Sequence, residues 1–315
     1  MLRFQGSWLL ETVLDSVKDL NQSPSWYFPV MSKFSALEWL SNLDSEITIN
    51  VPIHSQAVLF KSWFTNFDTF PDEEVMKAFN QILMKSIDIN INPFRAWLDV
   101  YFSKQQLDYL LYWHEAANEL STEGVKESFL SIVYQVINYW LVNNKAGYDN
   151  LLPPDEILAY YYKRYRSFRS HQAVFNITEK SLENLEPEDC SILVFNLVFG
   201  DEDYLEDESL FIYNAWLYGY TDIEKSKQNF VSELKSYSVE LDNKDNNFDF
   251  YQKLSKNAKV VAFCWSGQGI TPNLYQRMLV EKLQQIFSKN YNNSKFVYKP
   301  IDSDTDSYDY ILLFY

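Results

Sequence analysis

The chain has 315 residues, 47% of them hydrophobic and 22% charged, with a formal net charge of −16 and only 7 glycines. This hydrophobic share excludes a wholly disordered chain. Scarce glycine argues against several phosphate loops, and the negative field argues against generic binding to nucleic acid or an anionic membrane.

The N-terminal stretch carries Arg3 and apolar residues, but Glu11 and Asp15 interrupt any secretory signal core. No apolar run reaches the roughly 20 residues a membrane helix needs. Cys190 and Cys264 are the only cysteines, too few for a disulfide framework. The expected setting is cytoplasmic.

From residue 5 to about 184 the helical period dominates, with helices predicted over 72–86, 104–120, 122–142 and 155–169. In the second of these Leu107, Leu110, Leu111, His114 and Ala117 define one face, and His114 reads as a hydrogen-bonded core residue. Residues 129–142 are apolar nearly all round, as a central buried helix requires. Prolines at 24, 71, 93, 153 and 154 separate these elements. The segments Trp39–Ser45 and Trp63–Thr69 echo each other position by position. They read as two helix ends finished by Asn, Asp and Ser rather than as a repeat array, which needs three or more units.

Within the fourth helix, Lys163, Arg164, Arg166 and Arg169 interleave with tyrosines and form a basic patch. Such a patch grips an acidic segment or a nucleotide. It equally complements the dipole in the last turns of a helix. His54, His114 and His171 show no zinc spacing, alone or with the cysteines.

After Leu185 the pattern changes. Buried strands are predicted at 191–199 and 259–265, and 211–220 is ambiguous between strand and helix. Helices are predicted at 222–237 and 272–289, the latter with Leu274, Met278, Leu283 and Phe287 on one side. Final strands fall at 296–298 and 310–315. The fold class so read is mixed α+β and α/β. A large helical domain over 1–184 precedes a smaller α/β domain over 185–315 with a short, partly parallel sheet.

The sharpest local signal is Ser266, Gly267, Gln268, Gly269 and Thr271, between a strand and a helix. Thr271 suits an N-cap and Pro272 the first helical position, so the turn is a candidate anion site for phosphate or carboxylate. It lacks the P-loop lysine and the full dinucleotide fingerprint, and Ser266 is not in a nucleophile elbow. Residues 201–208 are rich in carboxylates. Asp302, Asp304 and Asp306 begin a calcium-loop pattern that fails at Ser307 and Leu313. No metal or cofactor is assigned. The sequence favours a non-catalytic acidic interaction protein, of inhibitor, immunity-type or assembly-subunit kind, with a basic or complementary protein partner. The alternative is an enzyme or ligand sensor using the 266–271 turn.

Overall fold

The computed structural model describes residues 6–16, 23–30, 44–51, 53–64, 72–80, 90–145, 152, 154–168, 173–197, 208–219, 221–222, 224–229, 246–301 and 306–315. The chain divides into two compact units built from interleaved segments. One comprises Met1–Pro52, His171–Asp203 and Lys235–Tyr315; the other comprises Ile53–Ser170 and Tyr204–Leu234.

The first unit is organised by a seven-stranded sheet in the order β3-β2-β1-β4-β5-β7-β6. Its strands are β1 (Trp26–Phe28), β2 (Glu46–Asn50), β3 (Val174–Thr178), β4 (Cys190–Asn196), β5 (Ala258–Gln268), β6 (Ser294–Pro300) and β7 (Ser307–Phe314). The five strands from β3 to β5 pair in parallel, and β7 is antiparallel to both β5 and β6. This is the doubly wound order, reversing between β1 and β4, with an antiparallel strand inserted between the fifth and sixth.

The expected fold class is thereby corrected. The sheet is large, and three of its strands come from the part of the chain read as helical. The physical reason is strand length. Trp26–Phe28 has three residues and Glu46–Asn50 five, too short to show a period, and each is held by parallel partners far along the chain. Trp26, for example, pairs with Ile192.

Both faces of the central strands β4, β5 and β7 are dry, while the edge strands β3 and β6 are partly exposed. Leu193, Phe195, Val261, Phe263, Leu312 and Phe314 pack against Tyr251 and Leu254 of α8 (Asn246–Leu254) and Leu279, Leu283 and Phe287 of α9 (Leu274–Phe287). The alternate residues Ile192, Val194, Val260, Ala262, Cys264, Ile311 and Leu313 are also buried. Aromatic rings stiffen the first of these faces. Phe195 stacks on Phe263 at 5.1 Å, and Tyr251 meets Phe263 edge-on at 5.2 Å. The unit also contains α1 (Gly6–Ser16), whose Ser16 accepts a hydrogen bond from Lys295 on β6.

The second unit is helical. It contains α2 (His54–Phe64), α3 (Asp72–Asn80), α4 (Lys104–Glu119), α5 (Glu123–Lys145), α6 (Pro154–Phe168) and α7 (Glu208–Leu217). As the all-round apolar run predicts, α5 is central, burying Phe129, Leu130, Ile132, Val133, Val136, Ile137 and Trp140. It packs against α2, α3, α4, α6 and α7. Trp113 of α4 stacks on Trp140 at 5.6 Å and 7°. The start of α4 is fixed by a capping box in which Ser103 and Gln106 satisfy each other's backbone amides. The ambiguous 211–220 stretch resolves as α7, whose residues Ser209–Trp216 are all buried. Its Trp216 indole donates to the Leu110 carbonyl at 2.7 Å. Full burial all round removes the 3.6-residue period that would have separated helix from strand.

Candidate functional site

In an open parallel sheet, ligands sit beyond the carboxyl ends of the strands where the winding reverses. Here that point lies beyond Phe28 of β1 and Asn196 of β4. The fold implies a nucleotide-type cofactor at this place, and two observations test the fit. Dinucleotide binders need glycines in the turn after β1 so that backbone can approach the pyrophosphate. Residues 29–45 contain none. Such proteins also present an acidic side chain about 20 residues on, at the end of the second strand, to the ribose hydroxyls. Asn50 occupies that position and is fully buried. Its Nδ2 donates to the Lys180 carbonyl at 2.9 Å. Its Oδ1 accepts from the Thr178 hydroxyl at 2.9 Å and from the Lys180 amide at 2.8 Å. The side chain clamps β2 to the chain leaving β3. The residues present do not fit a dinucleotide.

The sequence-predicted turn is built differently from expectation. Ser266, Gly267 and Gln268 are not loop residues but the end of β5, paired with Asp309, Tyr308 and Ser307 of β7. The helix starts at Leu274, and its N-cap is Asn273 rather than Thr271. A capping box with Gln276 explains the shift. The Gln276 amide donates to Asn273 Oδ1 at 2.9 Å, and the Asn273 amide donates to Gln276 Oε1 at 3.1 Å.

Packing and conformation account for both glycines. A Cβ on Gly267 would lie 2.9 Å from Gln276 Nε2 and 3.2 Å from the Tyr310 ring. Gly269 has φ +83°, donates its amide to the Asp306 carbonyl at 2.7 Å, and accepts from the Tyr310 hydroxyl. Ser266 donates to the buried Asp309 carboxylate at 2.7 Å. Thr271 is exposed.

The other sequence-predicted groups stay apart. Lys163 is exposed on α6, Arg164 and Arg166 belong to the same helix, and Arg169 lies outside the described residues. So do residues 201–207, Asp302, Asp304, residues 39–43 and 65–69 of the tryptophan echo, and His171. Among the described residues, no group of three or more His, Cys, Asp or Glu side chains is placed to hold a metal. No helix among them is long and apolar enough to cross a membrane. The two thiols are buried. Burial pushes Cys190 up to about 12, helped by Glu188 and Asp189, and pushes Cys264 well above the usual thiol range, helped by Asp309. Neither is a ready nucleophile at neutral pH.

Sequence reasoning missed the surface of α9. The expectation from the sequence places Leu274 and Met278 on one side of the helix with Leu283 and Phe287. The structure buries Gln276, Leu279, Leu283 and Phe287 and leaves Leu274 67%, Met278 60% and Tyr275 43% exposed, with Ile270 53% exposed just before the helix. At 3.6 residues per turn, positions 274 and 278 fall roughly opposite the stripe through 276, 279, 283 and 287. The signal was therefore present in the spacing. No protein-family profile and no curated protein matches the chain.

Proposed function

We propose that the chain is a non-catalytic interaction protein, of inhibitor, immunity-type or assembly-subunit kind, that engages a basic protein partner. The observation that carries this reading is the exposed apolar group Ile270, Leu274, Tyr275 and Met278. Leu274 and Met278 are one turn apart and share a face. Four large apolar side chains in nine residues make a contact surface of the kind interfaces use, with an aromatic and a methionine among them. On the same helix exposed Glu281 lies one turn after exposed Arg277, and exposed Asp306 accepts from the Gly269 amide. In a chain of net charge −16 this combination suits a partner that brings an apolar anchor inside a basic rim.

The test is affinity capture from the native host with the full-length chain, in low and high salt, beside the double variant Leu274→Ser, Met278→Ser. The expected result is one stoichiometric basic partner, lost in high salt and lost with the variant. A partner retained by the variant would refute this surface. Recovery of partner-free chain that inorganic phosphate or citrate stabilises against heat would favour the alternative, a small anion held at residues 266–271.

A further inference from the structure

The sheet ends at β6, and no described strand pairs with its outer edge. The ladder shows which backbone groups point outward. Asn293 and Tyr315 exchange both amide bonds, at 3.0 and 3.1 Å, and the Ile301 amide donates to the Ser307 carbonyl at 2.9 Å. Hydrogen-bonded and open pairs alternate along an antiparallel ladder. Lys295, Val297 and Lys299 therefore bond to β7, and the amides and carbonyls of Ser294, Phe296 and Tyr298 face outward. Pro300 falls on the same outward phase, where its missing N–H costs the inner ladder nothing. Such an edge is fit to receive a further strand.

The side chains specify that strand. Between Ser294 and Pro300 the cations are Lys295 and Lys299, and there is no carboxylate. Phe296 packs with Trp265 in the cluster that α9 covers, so alternation puts both lysines on the opposite face. Lys295 is exposed and donates to the Ser16 hydroxyl at 3.2 Å; Lys299 is half-buried. On the α9 side, half-buried Phe296 stacks on Tyr310 and exposed Tyr298 meets Tyr308 edge-on. The inner neighbour already shows what suits this strand. Asp309, Tyr310, Ile311 and Leu312 of β7 stand opposite Lys299, Tyr298, Val297 and Phe296. The outer side calls for the same pattern, with a second carboxylate opposite Lys295, where β7 carries Leu313.

The same lysines work against a second copy of the chain. A twofold axis through Val297 would set Lys295 directly opposite Lys299 of the other copy. An axis through Phe296 or Tyr298 brings lysines of the two copies onto diagonal positions about 7–8 Å apart. Lysine on an edge strand is a common guard against such self-pairing.

We propose that β6 is a docking edge for an extended acidic segment of a partner protein. The segment adds antiparallel, with carboxylates opposite Lys299 and Lys295 and apolar residues between them. This edge takes chemistry of the opposite charge from the α9 surface and does not rest on the function proposed above.

Fluorescence polarisation of the full-length chain with the labelled, end-capped peptide Thr-Glu-Tyr-Val-Phe-Glu-Thr tests it. The peptide is expected to bind saturably at one per chain, and its version with lysine in place of both glutamates at least tenfold more weakly. N-methylation of its Tyr and Phe amides removes two backbone bonds to β6 and weakens binding by about tenfold or more. Ser294→Pro, which removes an outward amide and leaves the inner ladder intact, weakens it by about threefold or more. Lys295→Gln with Lys299→Gln weakens it by about fivefold, while Lys227→Gln, at an exposed position in the helical unit, leaves it unchanged. Absence of saturable binding overturns the proposal, as does equal binding of the N-methylated or the lysine peptide. Sedimentation that shows a dimer lost in Ser294→Pro overturns it in favour of a second copy. Leu274→Ser with Met278→Ser leaves peptide binding unchanged, which separates failure here from failure of the α9 surface.

Discussion

Asn50 is the residue on which the argument against a dinucleotide can be tested most directly. Replacing it with Ala removes three hydrogen bonds, two at Oδ1 and one at Nδ2, from a side chain with no solvent exposure. At roughly 1 kcal/mol each the loss is about 3 kcal/mol, and it falls on the junction of β2 and β3 because the partners are Thr178 and Lys180. Asn50→Asp preserves both acceptor bonds but loses the donor and sets a buried carboxylate against the Lys180 carbonyl. It should cost at least as much as the alanine change. Because the chain has two units, a single global unfolding energy is the wrong observable. Amide hydrogen exchange at Lys180 reads the junction itself. Both variants should lower its protection on the order of a hundredfold, the equivalent of about 3 kcal/mol. Protection reduced by less than about threefold would show that the clamp contributes little. Asn50 would then be available to serve a ligand, and the argument against a dinucleotide would lose its main support.

Three further outcomes follow from the same structure. Cys190 and Cys264 should resist an aromatic disulfide reagent at pH 8 in the native protein and both react in denaturant, because burial raises their thiol pKa values; rapid native labelling of either would contradict their placement. His114 has a folded-state pKa below its unfolded value, so the unfolded chain takes up the proton first. Its contribution to stability is complete above the ordinary imidazole range and is lost as pH falls through the lowered folded value. Unfolding of the helical unit followed from pH 7.5 to pH 5 should show this loss in the native chain and much less of it in His114→Gln. Asn273→Ala removes the α9 cap and should destabilise that helix by about 1 kcal/mol, measured as faster exchange of the Gln276 amide.

Much of the helical unit was legible because its signals are local. Lys104–Glu119 and Glu123–Lys145 match the predicted spans to within a few residues, since amphipathic and all-apolar runs of that length have few other uses. The strands β4 and β5 were legible for the same reason. The sheet as a whole was not, because its left half rests on Trp26–Phe28, Glu46–Asn50 and Val174–Thr178, whose strand character comes from pairing across more than a hundred residues. Secondary-structure preference cannot report a non-local partner. The 266–271 segment differs from its expected form for another reason. Glycine after an apolar strand suggests a turn, whereas Gly267 lies within β5 and gives room to Gln276 and the ring of Tyr310. The clamp at Asn50 had no sequence signal, since its partners lie at 178 and 180.

These pieces bear on where function resides. A doubly wound sheet ordinarily places its chemistry in the turns that leave the carboxyl ends of its strands. In this chain the segments that follow β2 and β4 supply the entire helical unit, residues 53–170 and 204–234. The side chain at the position where dinucleotide binders hold the ribose is instead committed to holding β2 against the chain leaving β3. The sheet thus has the architecture of a ligand-binding fold while Asn50 at that end is used for cohesion. The exposed Leu274 and Met278 of α9 are a different case. A Leu and a Met one turn apart gain nothing from solvent, and burial against a partner would remove their apolar area from water. That is why the capture experiment falls on Leu274 and Met278.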